Sequence, residues 1–209
     1  MTPSELPDDD ALERALRPAP TADDGFAAAR ARFAARAVQD GAHAVAYEDH
    51  ETPLGTLRIA ATAAGVVRVV LPAEDPDEAL ARLTDRVSPR IVRAASPVVR
   101  DARRELDEYF GGERRAFAVP LDWTLTRAFR RDVLRATARV PYGATASYAQ
   151  VAADAGSPRA VRAAGSALAT NPLPIVVPCH RVVRSDGALG RYLGGIEMKG
   201  ELLRLEGAA

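Results

Sequence analysis

Cysteine is all but missing from this 209-residue chain, with Cys179 the single example. One thiol can neither close an intrachain disulfide nor build a cysteine-based zinc cluster. Histidine is nearly as scarce: His43, His50 and His180 share no metal-type spacing, so neither a metal nor a cofactor is expected. Lysine occurs once, at Lys199, and arginine supplies the rest of the 28 basic side chains. No apolar run approaches the roughly 18 residues of a membrane span. The acidic start, MTPSELPDDD, resembles neither a secretory signal nor a transit peptide. A cytoplasmic protein without a membrane partner is therefore expected, monomeric in solution.

A hydrophobic content of 47% excludes wholesale disorder and is enough for a real core. Net charge is zero, which alone argues against a nucleic-acid partner, but the charge is unevenly spread. Residues 1–118 carry 16 basic and 21 acidic side chains, a balance of −5; residues 119–209 carry 12 and 7, a balance of +5. Such asymmetry fits a polyanion that touches only the C-terminal half, or simple compositional scatter.

Three segments emerge along the chain. Residues 1–40 are rich in Ala, Asp, Pro and Arg, with helical stretches expected over Asp10 to Leu16 and Asp24 to Gln39, and read as a loosely attached extension. Residues 41–118 read as an α/β domain. Short β-type runs at Val45 to Glu48, Leu57 to Ala61 and Val66 to Leu71 predict a small antiparallel sheet, and Pro76 to Asp85 and Pro97 to Phe110 carry helical apolar spacing. Residues 119–209 read as mainly helical. A capped helix is expected over Thr126 to Ala138, then Ser147 caps Tyr148 to Ala155, Gly156-Ser157-Pro158 turns, and Arg159 to Thr170 forms another helix. Helix, short Gly-containing turn, helix is helix-turn-helix grammar, which many folds contain without binding DNA.

Cys179 lies in NPLPIVVPCHRVV, where Pro172, Pro174 and Pro178 rule out a regular helix and stiffen the backbone. A rigid support suits a nucleophile that must be aimed, and equally an ordinary buried turn. The pentapeptide Pro178 to Val182, PCHRV, resembles the signature of the O6-alkylguanine-DNA alkyltransferases, also called methylated-DNA–protein-cysteine methyltransferases. The likeness runs from about Thr52-Pro53-Leu54-Gly55 to Glu206-Gly207 and includes Tyr109-Phe110, the Val140-Pro141-Tyr142-Gly143 turn, Ser147-Tyr148, Arg162-Ala163, Asn171-Pro172, Gly194-Gly195 and Lys199.

That resemblance implies a ribonuclease H-like α/β domain followed by a helical DNA-binding domain. It also implies a single-turnover activity in direct-reversal DNA repair. An alkyl group on O6 of guanine, or O4 of thymine, in double-stranded DNA passes irreversibly to Cys179 after the nucleotide is flipped out. His180 would activate the thiol through a water and Glu206 would orient the imidazole. Arg162 matches the finger that fills the vacated stack, and Tyr148 the tyrosine that crowds the flipped nucleotide's phosphate. Asn171, Pro174, Val182, Gly190, Tyr192, Leu193 and Lys199 would shape the substrate pocket. Lys199 would tie the active-site loop, Tyr192 would wall the pocket and Gly190 would leave room for bulk at O6. Leu193 stands where many relatives carry serine, which implies a narrower pocket. Leu134 and Ala169 likewise replace a tryptophan and a basic group. Relatives without the nucleophile bind the lesion unreacted; Cys179, His180 and Glu206 together set this chain apart from them.

Overall fold

In the computed structural model, residues 22–40 and 44–208 are described. The expected stretch Asp10 to Leu16 lies outside them. Helix α1, Ala22–Gln39, touches the rest of the protein through the edge strand named below, with Phe26 and Phe33 largely exposed.

Strands β1 (Val45–Thr52), β2 (Gly55–Thr62) and β3 (Gly65–Val70) pair antiparallel in sequence order. The first two expected runs sit inside β1 and β2, and the third, Val66 to Leu71, overruns β3 by one residue. A fourth strand, β4 (Ile91–Arg93), pairs parallel to β1 and makes the sheet mixed, in the order β3-β2-β1-β4. The wholly antiparallel sheet read from sequence is corrected here: three residues carry too little alternation to be seen, and tertiary pairing creates the strand.

Period-2 alternation gives the sheet two apolar faces. Leu57, Ile59 and Val69 join Ala102, Leu106 and Tyr109 of α3 (Pro97–Phe110) in the main core. Val45, Ala60 and Val67 meet Leu83 of α2 (Pro76–Arg86) on the other side. Both helices start on proline behind a side-chain cap, Asp75 for α2 and Ser96 for α3, which answers orphan N–H groups of the first turn.

The C-terminal half consists of α4 (Ala128–Thr137), α5 (Tyr148–Asp154), α6 (Val161–Ala169) and α7 (Gly195–Leu205). It shares the main core with the sheet, so no apolar gap separates the halves. The backbone stitches them too: Val66 N donates to Pro120 O, Asp122 N to Val66 O, and Val69 N to Pro172 O. At Gly65 a Cβ would lie 2.3 Å from the Pro120 carbonyl oxygen, so only glycine allows that seam.

Helix α4 departs from expectation. It is shorter than Thr126 to Ala138 and carries no side-chain cap: the N-cap position falls on Arg127, whose side chain has no acceptor. Ser147, by contrast, forms a complete capping box with Gln150 at the head of α5.

Candidate active site around Cys179

The turn that carries Cys179 is held under strain. Ile175 is β-branched yet has φ +71°, and Val176 N donates across it to Pro174 O, a γ-turn of the costly positive-φ kind. Pro178 (φ −79°, ψ 63°) forms the relaxed inverse γ-turn, with Cys179 N donating to Val177 O. Cys179–Arg181 then close one 3₁₀ turn and lead into β6, Val182–Val183. Strain of this size persists only where surroundings over-determine the backbone, and residues 171–182 are buried throughout.

Asn171 is the chief constraint. Its side-chain N–H groups donate to Val177 O (2.9 Å) and to Cys179 Sγ (3.1 Å), while its Oδ1 accepts from Leu173 N (3.0 Å). Burial pushes the thiol up to about 11, against the opposing pull of the Asn171 hydrogen bond and the Lys199 charge. At neutral pH the resting sulfur is therefore protonated.

Glu206, just after α7, lies beneath the turn. Its carboxylate accepts from Tyr109 Oη (2.6 Å), Arg181 Nε (2.8 Å), Arg181 Nη2 (3.0 Å) and Gly143 N (3.4 Å), and meets His180 Nε2 at 2.9 Å. Burial would raise its pKa, but the His180, Arg181 and Tyr109 hydrogen bonds outweigh that and hold it near 2. An ionised acceptor fixes the imidazole tautomer: the hydrogen sits on Nε2, and Nδ1 presents a lone pair. Burial lowers the His180 pKa, so the ring is neutral near pH 7. His180 Nδ1 is itself buried and has no hydrogen-bond partner among the described residues.

Other predicted residues gather close by. Lys199 is fully buried and donates to Val182 O (2.5 Å) and to Leu189 O, joining β6 to the following loop. Burial pulls it down to about 8. Tyr192 stands edge-on to His180, with ring centres 6.3 Å apart, and its buried hydroxyl has no partner among the described residues. Val182 is buried with its carbonyl taken by Lys199. Pro174 is buried within the γ-turn.

A cleft of about 750 Å³ opens beside this turn, lined by Tyr148, Arg162, Ser166, Arg184, Gly190 and Arg191 among others. Burial, reinforced by the nearby Cys179, raises the Tyr148 pKa. Gly190 has φ +69°, and a Cβ there would lie 2.9 Å from Tyr148 Oη, so the tyrosine occupies the room that glycine leaves. Arg162 is exposed on α6 and its guanidinium makes no hydrogen bond or ion pair among the described residues. Strand β5, Ala146–Ser147, pairs with β6 and so fixes the head of the helix-turn-helix to the reactive turn. On α6, Ala164, Ala167 and Leu168 pack inward, whereas Ala163, Ser166 and Ala169 leave the outer face shallow.

Leu193, like Tyr192, packs against the core cluster that contains Cys179. Expected to narrow the pocket, it lines the adjoining hollow, which shares Ala169 with the cleft, beside Arg68 and Arg130. Leu193 sits in the turn that Gly195 N closes onto Tyr192 O just before α7. Sequence reasoning also missed Arg181 and Tyr109 as partners of Glu206. Arg181 lay in the PCHRV signature and Tyr109 in the matched Tyr-Phe pair, but their common target is 25 and 97 residues away.

Comparison with known proteins agrees with this geometry. Residues 45–123 match the family described as 6-O-methylguanine DNA methyltransferase, ribonuclease-like domain, and residues 128–208 match its DNA binding domain. The constitutive methylated-DNA–protein-cysteine methyltransferase of Bacillus subtilis is 41% identical over 77% of this chain and 94% of its own length. The Mycobacterium tuberculosis protein OGT, solved in complex with DNA, superposes with a TM-score of 0.65 at 33% identity, covering 78% of this chain and 93% of that one. An O6-methylguanine-DNA methyltransferase from Pyrococcus kodakaraensis superposes with a TM-score of 0.59 at 26% identity, over 78% and 99% of the two chains. Matched across both of its domains, the chain belongs to the methylated-DNA–protein-cysteine methyltransferase family.

Proposed function

We propose that this protein repairs double-stranded DNA by taking the alkyl group from O6 of a flipped guanine onto Cys179, once per molecule. The observation that carries the reading is a single buried thiol next in the chain to a His180 whose Nε2 is held by Glu206 and whose buried Nδ1 has no partner among the described residues. In a family that transfers methyl groups to cysteine, Cys179 is the only candidate acceptor in the chain.

The proton leaves Sγ for His180 Nδ1 through one bridging water, and Glu206 stabilises the imidazolium that forms. The thiolate attacks the alkyl carbon in line, an S–C bond forms and the C–O6 bond breaks. Its electron pair stays with guanine, and the unpartnered Tyr192 hydroxyl is a donor available to the departing base. No group at the site can cleave a thioether, which makes the step terminal. Removing the nucleotide from the stack costs a few kcal/mol. Arg162, free on the outer face of α6, fills the gap, and Tyr148 crowds the extruded phosphate. The shallow outer face of α6 supports a close approach to the minor groove. O4-alkylthymine fits the same chemistry, and one copy of the chain supplies every residue in the scheme.

The test is chemical repair of a duplex carrying O6-methylguanine, followed by nucleoside analysis. The wild type should return guanine in an amount equal to the protein added. Cys179→Ala should return none while still binding the duplex; repair by that variant would show that another group is the acceptor.

A further inference from the structure

Two hollows continue from the cleft along the seam between the two halves, joined by shared walls. Ala169 lines both the cleft and a hollow of about 430 Å³ that also contains Arg68, Arg86 and Arg130. Arg86 and Arg130 in turn line a third hollow of about 220 Å³ with Thr124, Leu125 and Arg127. No carboxylate lines that last hollow. In the middle one Glu74 is held by Arg68 and by Leu71 N, while Asp85 and Arg82 also line it, Arg82 pairing with Glu78.

The arginines here are poorly compensated. Arg86, from the last turn of α2, and Arg127, preceding α4, are exposed and make no hydrogen bond or ion pair among the described residues. Arg130 donates to Thr170 O, but its Nε is buried without a partner. Desolvation, and then repulsion from Arg68, depress its pKa.

The start of α4 is also built against the usual rules for a helix N-terminus. Arg127 occupies the N-cap with no capping side chain, no acidic residue stands in the first turn, and Ala128 has φ +44°. Cations at the positive end of a helix, with its N–H groups left uncapped, are unfavourable unless an anion sits there. Local rules broken together at one exposed spot mark a site rather than an accident of folding.

We infer that Arg86, Arg127 and Arg130 form a phosphate track that carries the DNA backbone off the end of α6 and across the seam onto the N-terminal domain. This rests on the proposed binding of DNA by α5 and α6, with which the hollows are continuous. A guanidinium fork and the exposed N–H groups at the head of α4 suit a phosphodiester. The contact reads no sequence and adds affinity only.

The experiment compares wild type, Arg86→Gln/Arg127→Gln and Arg86→Lys/Arg127→Lys for binding to a duplex of about two helical turns across a salt series. Reaction with free O6-benzylguanine is measured in parallel. Loss of two phosphate contacts should flatten the slope of log affinity against log salt by about 2 and weaken binding at least about tenfold at 0.1 M salt. The lysine pair should retain most of the slope, and the free base should react at the wild-type rate with all three proteins. An unchanged slope in the glutamine pair, or an equal fall in its free-base reaction, overturns the track. A wild type that shows no duplex affinity overturns instead the DNA reading on which the track rests.

Discussion

Glu206→Gln replaces the charge beneath the reactive turn with a neutral group of the same shape. The carboxylate is buried, receives donors from Tyr109, His180 and Arg181, and has its pKa held near 2 against an ordinary 4.5. That depression corresponds to about 3 kcal/mol of folding stability. Leaving the buried Arg181 without its counter-ion gives a comparable figure, about 3–5 kcal/mol. Because the folded pKa is the lower one, the contribution is fully present above about 4.5 and is lost as pH falls towards 2. Urea unfolding followed by the single tryptophan, Trp123, reads this directly. At pH 7 the variant should lose about 3–5 kcal/mol, and the gap from wild type should shrink once pH drops below about 4.5. The variant should also react with free O6-benzylguanine at least about a hundredfold more slowly, because His180 loses its tautomer control. A loss below about 1 kcal/mol at pH 7, or a gap that does not narrow in acid, would refute the reasoning.

Three further outcomes follow from the same geometry. Arg162→Ala should slow repair of duplex far more than reaction with the free base, since only the duplex needs the vacated stack filled; equal slowing, in paired rate measurements, would remove the finger role. Asn171→Ala strands Val177 O and Leu173 N and strips a hydrogen bond from the thiol, so it should cost about 1–3 kcal/mol per orphaned group by urea titration and slow alkylation of Cys179 at fixed pH. With the thiol at about 11, its modification by a small neutral alkylating reagent should rise about tenfold per pH unit from 6 to 9, and a plateau near 7 in the rate profile would contradict that.

Where local physics decides structure, the sequence was readable. Proline behind Ser96 and two glycines after Phe110 bound α3 at Pro97–Phe110 as expected, and alternation located β1, β2 and β3. Strand β4 was not legible, because its pairing with β1 rather than its own pattern makes it a strand. The start of α4 misled because the N-cap falls one residue past Thr126, on Arg127, which has no acceptor to offer. Cys179, His180 and Glu206 were named through family resemblance; spacing alone left the thiol as plausibly an ordinary buried residue. Arg181 and Tyr109 escaped because nothing local signals a shared carboxylate on a distant helix end. The seam arginines escaped for the same reason: Arg86 ends α2 while Arg127 and Arg130 stand at the head of α4, and only the fold brings the two stretches to one wall.

The central claim is the identity of the acceptor atom. After incubation with excess duplex containing O6-methylguanine, the protein is digested and its peptides are weighed and fragmented. One methyl group per molecule, confined to the sulfur of Cys179, is the predicted result. Protein that binds the lesion tightly yet leaves Cys179 unmodified, or a methyl group on any other residue, would contradict it.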